Sequence, residues 1–170
     1  MTDTRITRNT LANSFRELMK DNDFSKISVA DICRNCSMNR KSFYYHFHDK
    51  YDLVNWIFDR DYSGFVYRNK GGTFLLRELC NYFGENSIYY RKVLEIRGHN
   101  CFYAHLHYHF YRILESNKKD EMNDFKINFY SDAIVSAINC WLHTQTMDSD
   151  TFSRALETVL KQADFITELD

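Results

Sequence analysis

The chain has 170 residues, no proline and five glycines, with 14 Phe and 12 Tyr. That composition favours long uninterrupted helices around a large apolar interior, in one or two domains. The formal net charge of −1 argues by itself against a nucleic-acid partner, but the charge is uneven: residues 1–50 carry nine Lys/Arg against six Asp/Glu, a net of +3, and residues 51–170 carry 13 against 17, a net of −4. A basic front on an acidic rear fits a DNA-binding head on a body that does not touch DNA.

Residues 1–4 read as a polar tail. A first helix is expected over about 5–20, where Leu11, Phe15 and Leu18 recur at helical spacing beside Ala12 and Met19. Asp21-Asn22-Asp23 ends it, and Phe24 and Ile27 lead into a second helix. Ser28 is a good N-cap for that helix, and Asp31 completes a capping-box pattern. Val29, Ile32, Cys33 and Cys36 form its apolar stripe. Ser37-Met38 makes a turn, and Asn39 caps a third helix over 40–47. Phe43 and Phe47 share one face of it, the core face. Arg40 with Tyr44, and Lys41 with Tyr45, are i,i+4 pairs on the opposite face. Two cations and two tyrosines are unusual on a solvated helix. On DNA they are apt, because cations neutralise phosphates, Arg binds guanine bidentately and tyrosine hydroxyls bond phosphate oxygens. Eight residues at about 1.5 Å rise span roughly 12 Å, the width of a major groove.

The three-helix core of Phe15, Leu18, Phe24, Ile27, Ile32, Phe43 and Phe47 is too small to stand alone. It is expected to continue into the body. A fourth helix is expected over 49–66, with Asp49 and Asp52 at its positive end and Leu53, Trp56, Ile57 and Phe65 on its apolar side. Asn69-Lys70-Gly71-Gly72 reads as a flexible linker. A fifth helix over 73–83 is expected to stop at Gly84, and a sixth over 87–96 to break at Gly98. A seventh, over 101–115, is crowded with aromatics, and 117–120 is a polar loop. Two long helices over 124–146 and 149–169 carry stripes of Ile127, Tyr130, Ile134, Ala137, Ile138 and Trp141, and of Phe152, Leu156, Val159, Leu160, Ala163 and Ile166. Such a pair suits a homodimer built as a four-helix bundle, with packing inside one chain as the alternative.

The run MNRKSFYYHFHDKYDLV is similar to the helix-turn-helix signature of the TetR family of bacterial transcriptional regulators. Asn39, Phe43-Tyr44, His46-Phe47, Asp49-Lys50 and Leu53 carry the match, and the spacing from Ser28 agrees. The resemblance covers about residues 5–60. It implies an all-α protein: a three-helix DNA-binding head over 1–50 and a larger helical body over 51–170 for ligand binding and dimerisation. It also implies that Arg40 and Lys41 face bases, and that Ser28, Tyr44, His46 and Lys50 touch phosphate. Asn39, Ser42 and Tyr45 complete the expected DNA-binding set. Two positions depart from the pattern. Ser37 stands where the turn usually has Gly, and Lys41 where a small residue is common, so the family's base preference does not carry over. The implied function is a homodimeric repressor on a double-stranded operator, released by a signal in the body. The segment YYRKVLEIRGHNCFYAHL is similar to a Firmicutes subgroup that includes the dihydroxyacetone kinase regulator. That similarity implies an alternative, an activator that depends on a protein coactivator instead of a small-molecule effector.

Several body residues invite chemistry. Tyr89, Tyr103, His105, Tyr108, Tyr130 and Trp141 would suit a ligand pocket, and equally an aromatic core. Cys101, His105 and His109 share a helical face, which opens a metal- or redox-sensor reading; lining a pocket or packing beside aromatics explains them as well. Cys33 and Cys36 fall inside one helix with no second pair, so burial is the expectation there. No catalytic constellation, phosphate loop or cofactor motif is present, and no metal or cofactor is expected. The five scattered cysteines and the lack of a signal-peptide pattern point to a reducing cytoplasm. No apolar run approaches the roughly 18 residues that span a bilayer.

Overall fold

The computed structural model describes residues 4–68, 74–98, 101–116 and 124–163, with the side chains of 65–68, 74 and 75 excepted. The described chain is helical throughout, without strands. Its elements are α1 (Thr4–Asp21), a 3-10 turn (Phe24–Lys26), α2 (Val29–Asn35), α3 (Arg40–His46), α4 (Lys50–Arg68), α5 (Phe74–Glu85), α6 (Ser87–Leu94), α7 (Phe102–Ser116), α8 (Asp124–Thr144) and α9 (Ser149–Gln162). The expected linker at 69–72, the loop at 117–120 and the end of the last helix lie outside the described residues.

Local chemistry sets the head. Ser28 and Asp31 form the capping box, with the Asp31 amide donating to Ser28 Oγ at 3.2 Å and the Ser28 amide to Asp31 Oδ2 at 3.0 Å. The end of α2 is a Schellman motif: the Met38 amide donates to the Cys33 carbonyl at 2.8 Å and the Ser37 amide to that of Arg34 at 3.2 Å. Ser37 therefore sits at φ 54°, the left-handed conformation anticipated from the missing glycine. Asn39 then caps α3, its Oδ1 accepting from the Ser42 amide at 2.8 Å.

One apolar cluster runs from Leu11 of α1 to Ala163 beyond α9. Phe15, Ile32 and Phe43 of the head and Ile57, Phe58 and Phe83 of the body all belong to it and are buried. The head core is thus continuous with the body, as its small size required.

Two expectations fail on packing. Gly84 does not end α5, which continues to Glu85. A Cβ at Gly84 would stand 3.4 Å from the Trp141 ring, so the glycine admits close approach of that ring instead of ending the helix. The apolar stripes of the last two helices are also not left free for a partner. Ile127, Ile134, Ile138 and Trp141 of α8 are buried, as are Phe152, Leu156, Leu160 and Ala163. α8 packs on α7 and α6, and α9 on α5, within one chain. Left outward are Phe125, Phe129, Ala133, Ser136 and Cys140 on α8, and on α9 Ala155 together with Val159, the one described member of the expected stripes that is exposed.

Candidate nucleic-acid interface

α3 is a short helix pinned from beneath. Phe43 is fully buried and Phe47 nearly so, their rings 5.7 Å apart. The Arg8 guanidinium lies over the rings of Phe47 and Trp56, at 5.7 and 5.9 Å, and ties α1 to this anchor. With one face fixed, geometry turns the opposite face outward. Tyr44 is 50% exposed and Tyr45 81%, and Arg40 and Lys41 are exposed beside them. The Arg40 guanidinium stands over the Tyr44 ring at 5.9 Å with Nη2 3.5 Å from the hydroxyl, so the two side chains form one surface.

Other members of the expected set have local duties. The Ser42 hydroxyl donates to Asn39 Oδ1 at 3.1 Å, inside the cap. The Ser28 hydroxyl donates to Asp31 Oδ2 at 2.6 Å, and these bonds hold the Asp31 carboxyl below its ordinary pKa. His46 is half-buried with the Tyr45 ring edge-on at 4.9 Å; desolvation, then the Arg8 charge, lower its pKa.

Lys50 departs furthest from expectation. Its ammonium donates to the carbonyls of Phe24 and Ile27, at 2.7 and 2.8 Å, and lies 4.1 Å from the centre of the Phe24 ring. Burial lowers its pKa. The side chain is turned into the α1–α2 turn, where the Ile27 carbonyl, and the Phe24 carbonyl beside its bond from the Ile27 amide, accept from it. Here the ammonium braces the turn after α1 and is not turned outward with Arg40 and Lys41.

The six expected pocket residues do not converge. Tyr89 is packed edge-on to Phe15 at 6.3 Å, with the Arg16 guanidinium 5.0 Å from its ring. The Tyr103 hydroxyl donates to Asp132 at 3.2 Å, His105 pairs with Asp59 at 2.7 Å, and Tyr108 is 58% exposed. Tyr130 packs against Phe129, and Trp141 stacks on Phe152 at 4.5 Å. Trp141 edges a surface cleft of about 400 Å³ that none of the other five lines. The metal reading fares no better. His105 is turned to Asp59, His109 is wedged against Phe58 and Tyr62 at 5.2 and 4.0 Å, and Cys101 is buried. No group of three or more His, Cys, Asp or Glu side chains is placed to hold a metal ion among the described residues.

Sequence reasoning missed the polar knot between head and body. Arg16 of α1 donates to the Tyr82 hydroxyl at 2.6 Å; that hydroxyl donates to Asp61 and accepts from Tyr90 at 3.0 Å. Arg60 holds the other Asp61 oxygen at 2.7 Å and reaches Asn9 of α1 at 2.9 Å. Burial, with the bond to Asp61, pushes the Tyr82 hydroxyl up to about 12. One signal was available: Arg16 lies among the apolar positions of α1, between Ala12 and Met19.

Residues 74–167 match the family model described as a transcriptional regulator C-terminal region, and residues 15–57 match the model of bacterial regulatory proteins of the tetR family. The chain belongs to the TetR family of transcriptional regulators. Among curated relatives, the HTH-type dhaKLM operon transcriptional activator DhaS of Lactococcus lactis subsp. lactis (strain IL1403) is 34% identical over 94 residues, 54% of this chain and 50% of the relative. The match spans about half the length of that relative, which agrees with the subgroup resemblance read from the sequence. Among solved structures, the dihydroxyacetone kinase operon activator DhaS superposes with a TM-score of 0.66 at 22% identity, over 97% of this chain and 99% of that one. A TetR transcriptional regulator from Streptococcus agalactiae 2603V gives 0.67 at 21% identity, over 92% and 94%. Both share the fold of this TetR-family chain.

Proposed function

We propose that this TetR-family regulator is a cytoplasmic homodimer that reads a double-stranded operator with α3 in the major groove. The observation that carries the reading is the outward row of Arg40, Lys41, Tyr44 and Tyr45 on a helix whose opposite face is locked by Phe43 and Phe47. Arg40 and Lys41 face base edges. The hydroxyls of Tyr44 and Tyr45, with backbone amides at the capped starts of α2 and α3, take phosphate oxygens. Ser28, Asn39 and Ser42 hold those amides in place. The second copy packs on the outward faces of α8 and α9, where Phe125, Phe129, Ala133, Ala155 and Val159 are available. Two recognition helices then meet half-sites about 34–36 Å apart.

The 34% identity to an operon activator favours activation of a neighbouring operon over repression. The separate engagement of the expected pocket residues favours a protein partner as the signal over a buried small molecule. The test is binding of the purified protein to its own upstream intergenic DNA at several salt concentrations, with Tyr44→Ala beside it. Tight, salt-sensitive binding that the variant loses is expected; equal binding by the variant removes α3 from the groove. A reporter on that DNA separates the signs: disrupting the regulator lowers expression under activation and raises it under repression.

A further inference from the structure

The head meets the body through α1, and one contact there has a shape that burial alone does not explain. Lys92, on α6, sends its ammonium to three carbonyls at the end of α1: Met19 at 2.7 Å, Asn22 at 3.1 Å and Lys20 at 3.2 Å. Met19 lies 73 residues away in the chain. The last carbonyls of a helix have no intrahelical donor and carry the negative end of its dipole. No glycine caps α1, which passes through Asn22 and Asp23 into the 3-10 turn. An ammonium has three donors and no acceptor, so Lys92 supplies the cap that α1 lacks.

The next residues are braced from α4. Lys50 holds the carbonyls of Phe24 and Ile27, so residues 19–27 lie between two ammonium groups, one on α6 and one at the start of α4. α2 packs on α1 and α3 packs on both, which makes the direction of α3 depend on where the end of α1 is held. α6 is tied in turn to α8: Glu95, one turn beyond Lys92, accepts from His143 Nε2 at 3.0 Å. A continuous polar path therefore leads from α8 through α6 to the end of α1.

We propose that Lys92 is a positioning residue for DNA binding: it latches the end of α1 to α6 and so fixes the direction of the reading head. This rests on the DNA-reading role proposed above for α3. Lys92 itself touches no base in this scheme.

The test uses the full chain with Lys92→Met, which keeps the stem and removes the donors, and Lys92→Arg, which keeps donors. Amide hydrogen exchange on DNA-free protein is the first readout. Lys92→Met is expected to speed exchange in residues 19–32 by roughly tenfold, within the usual range of coupling between sites, and to leave α7 and α9 unchanged. Binding to upstream DNA is the second. Specific affinity is expected to fall by a similar factor with the salt slope and the affinity for random DNA preserved, and Lys92→Arg to restore most of it. Unchanged exchange in 19–32 overturns the latch. So does a rise spread evenly over the chain, which marks simple destabilisation, or faster local exchange with undiminished specific affinity. A salt slope lower by about 0.9 would make Lys92 a phosphate contact instead. If the wild-type protein binds none of its upstream DNA, the DNA-reading proposal falls, and the exchange data still decide whether Lys92 holds α1.

Discussion

Replacing Lys50 with Met separates two roles for one charge. Methionine keeps the apolar stem against Phe24 and removes an ammonium that bonds two carbonyls at 2.7 and 2.8 Å and faces the ring at 4.1 Å. A hydrogen bond from a charged donor contributes about 1.5–3 kcal/mol, and a cation over an aromatic face about 0.5–1 kcal/mol where it is partly exposed. The two bonds share one half-exposed ammonium, and water can reach the freed carbonyls, so the sum is discounted to about 2–3 kcal/mol. For a chain of this size that lowers Tm by roughly 5–10 °C. Thermal and urea denaturation followed by circular dichroism measure it, and DNA binding between about 50 and 200 mM salt gives the slope. The expected pattern is a clear loss of stability with an unchanged salt slope per intact molecule. Unaltered stability with a slope lower by about 0.9 per site would mean that the ammonium faces phosphate and does not brace the turn after α1.

Tyr44→Phe is expected to weaken operator binding across all sequences by removing one phosphate bond, and Tyr44→Ala to weaken it further by stripping the ring from beneath Arg40; both should melt close to wild type, and a large drop in Tm would place the ring in the core. Asn39→Ala removes the acceptor of the Ser42 amide and should cost about 1 kcal/mol, read by urea denaturation, with Asn39→Asp close to neutral; equal stability of all three would deny the cap its role. Acid should destabilise the body through His109. Burial against Phe58 and Tyr62 lowers its pKa from 6.5 to about 4, so the unfolded chain binds the proton first as pH falls. This contribution is complete above pH 6.5 and is lost toward about pH 4 at close to 1.4 kcal/mol per pH unit. His109→Phe should flatten the stability profile in that window, and a profile parallel to wild type would show that the imidazole is not desolvated.

Legibility followed the range of the interaction. The capping box at Ser28, the cap at Asn39 and the two-faced α3 are set by residues within four positions of one another, and the sequence displayed all of them. Even the positive φ of Ser37 was readable, because the turn has one geometry and no glycine to take it. Long side chains were another matter. Lys50 and Lys92 are polar residues at helical positions, and nothing local says which carbonyls they will meet 23 to 73 residues away. Gly84 shows the same competition from the other side. Its local preference is to end a helix, yet the ring of Trp141 needed room, and packing prevailed. The body aromatics were ambiguous in principle: a ring that fills a core and a ring that lines a pocket obey the same apolar preference, and only the position of its neighbours separates them.

The charge pattern of the head takes on a different meaning once partners are placed. Its nine cations suggested an electrostatic grip on DNA. Arg8 lies over Phe47 and Trp56, Arg16 is held by Tyr82 and Asp61, and Lys50 by backbone carbonyls. Lys20, Lys26 and Arg34 each pair with an acid three residues before them, at 2.7, 3.1 and 2.9 Å. These surface pairs are weak and can open toward a phosphate, but each then releases a carboxylate beside it. Of the remaining three, Arg5 is exposed on α1, and Arg40 and Lys41 project from the outer face of α3. In the proposed DNA-reading role, affinity then depends on where α3 is held as well as on counterion release. Hydroxyls and amide groups bind phosphate only over short, directed distances, so affinity becomes sensitive to the angle of the head. In the proposed reading, that sensitivity makes operator occupancy depend on how firmly Lys92 holds α1 to α6.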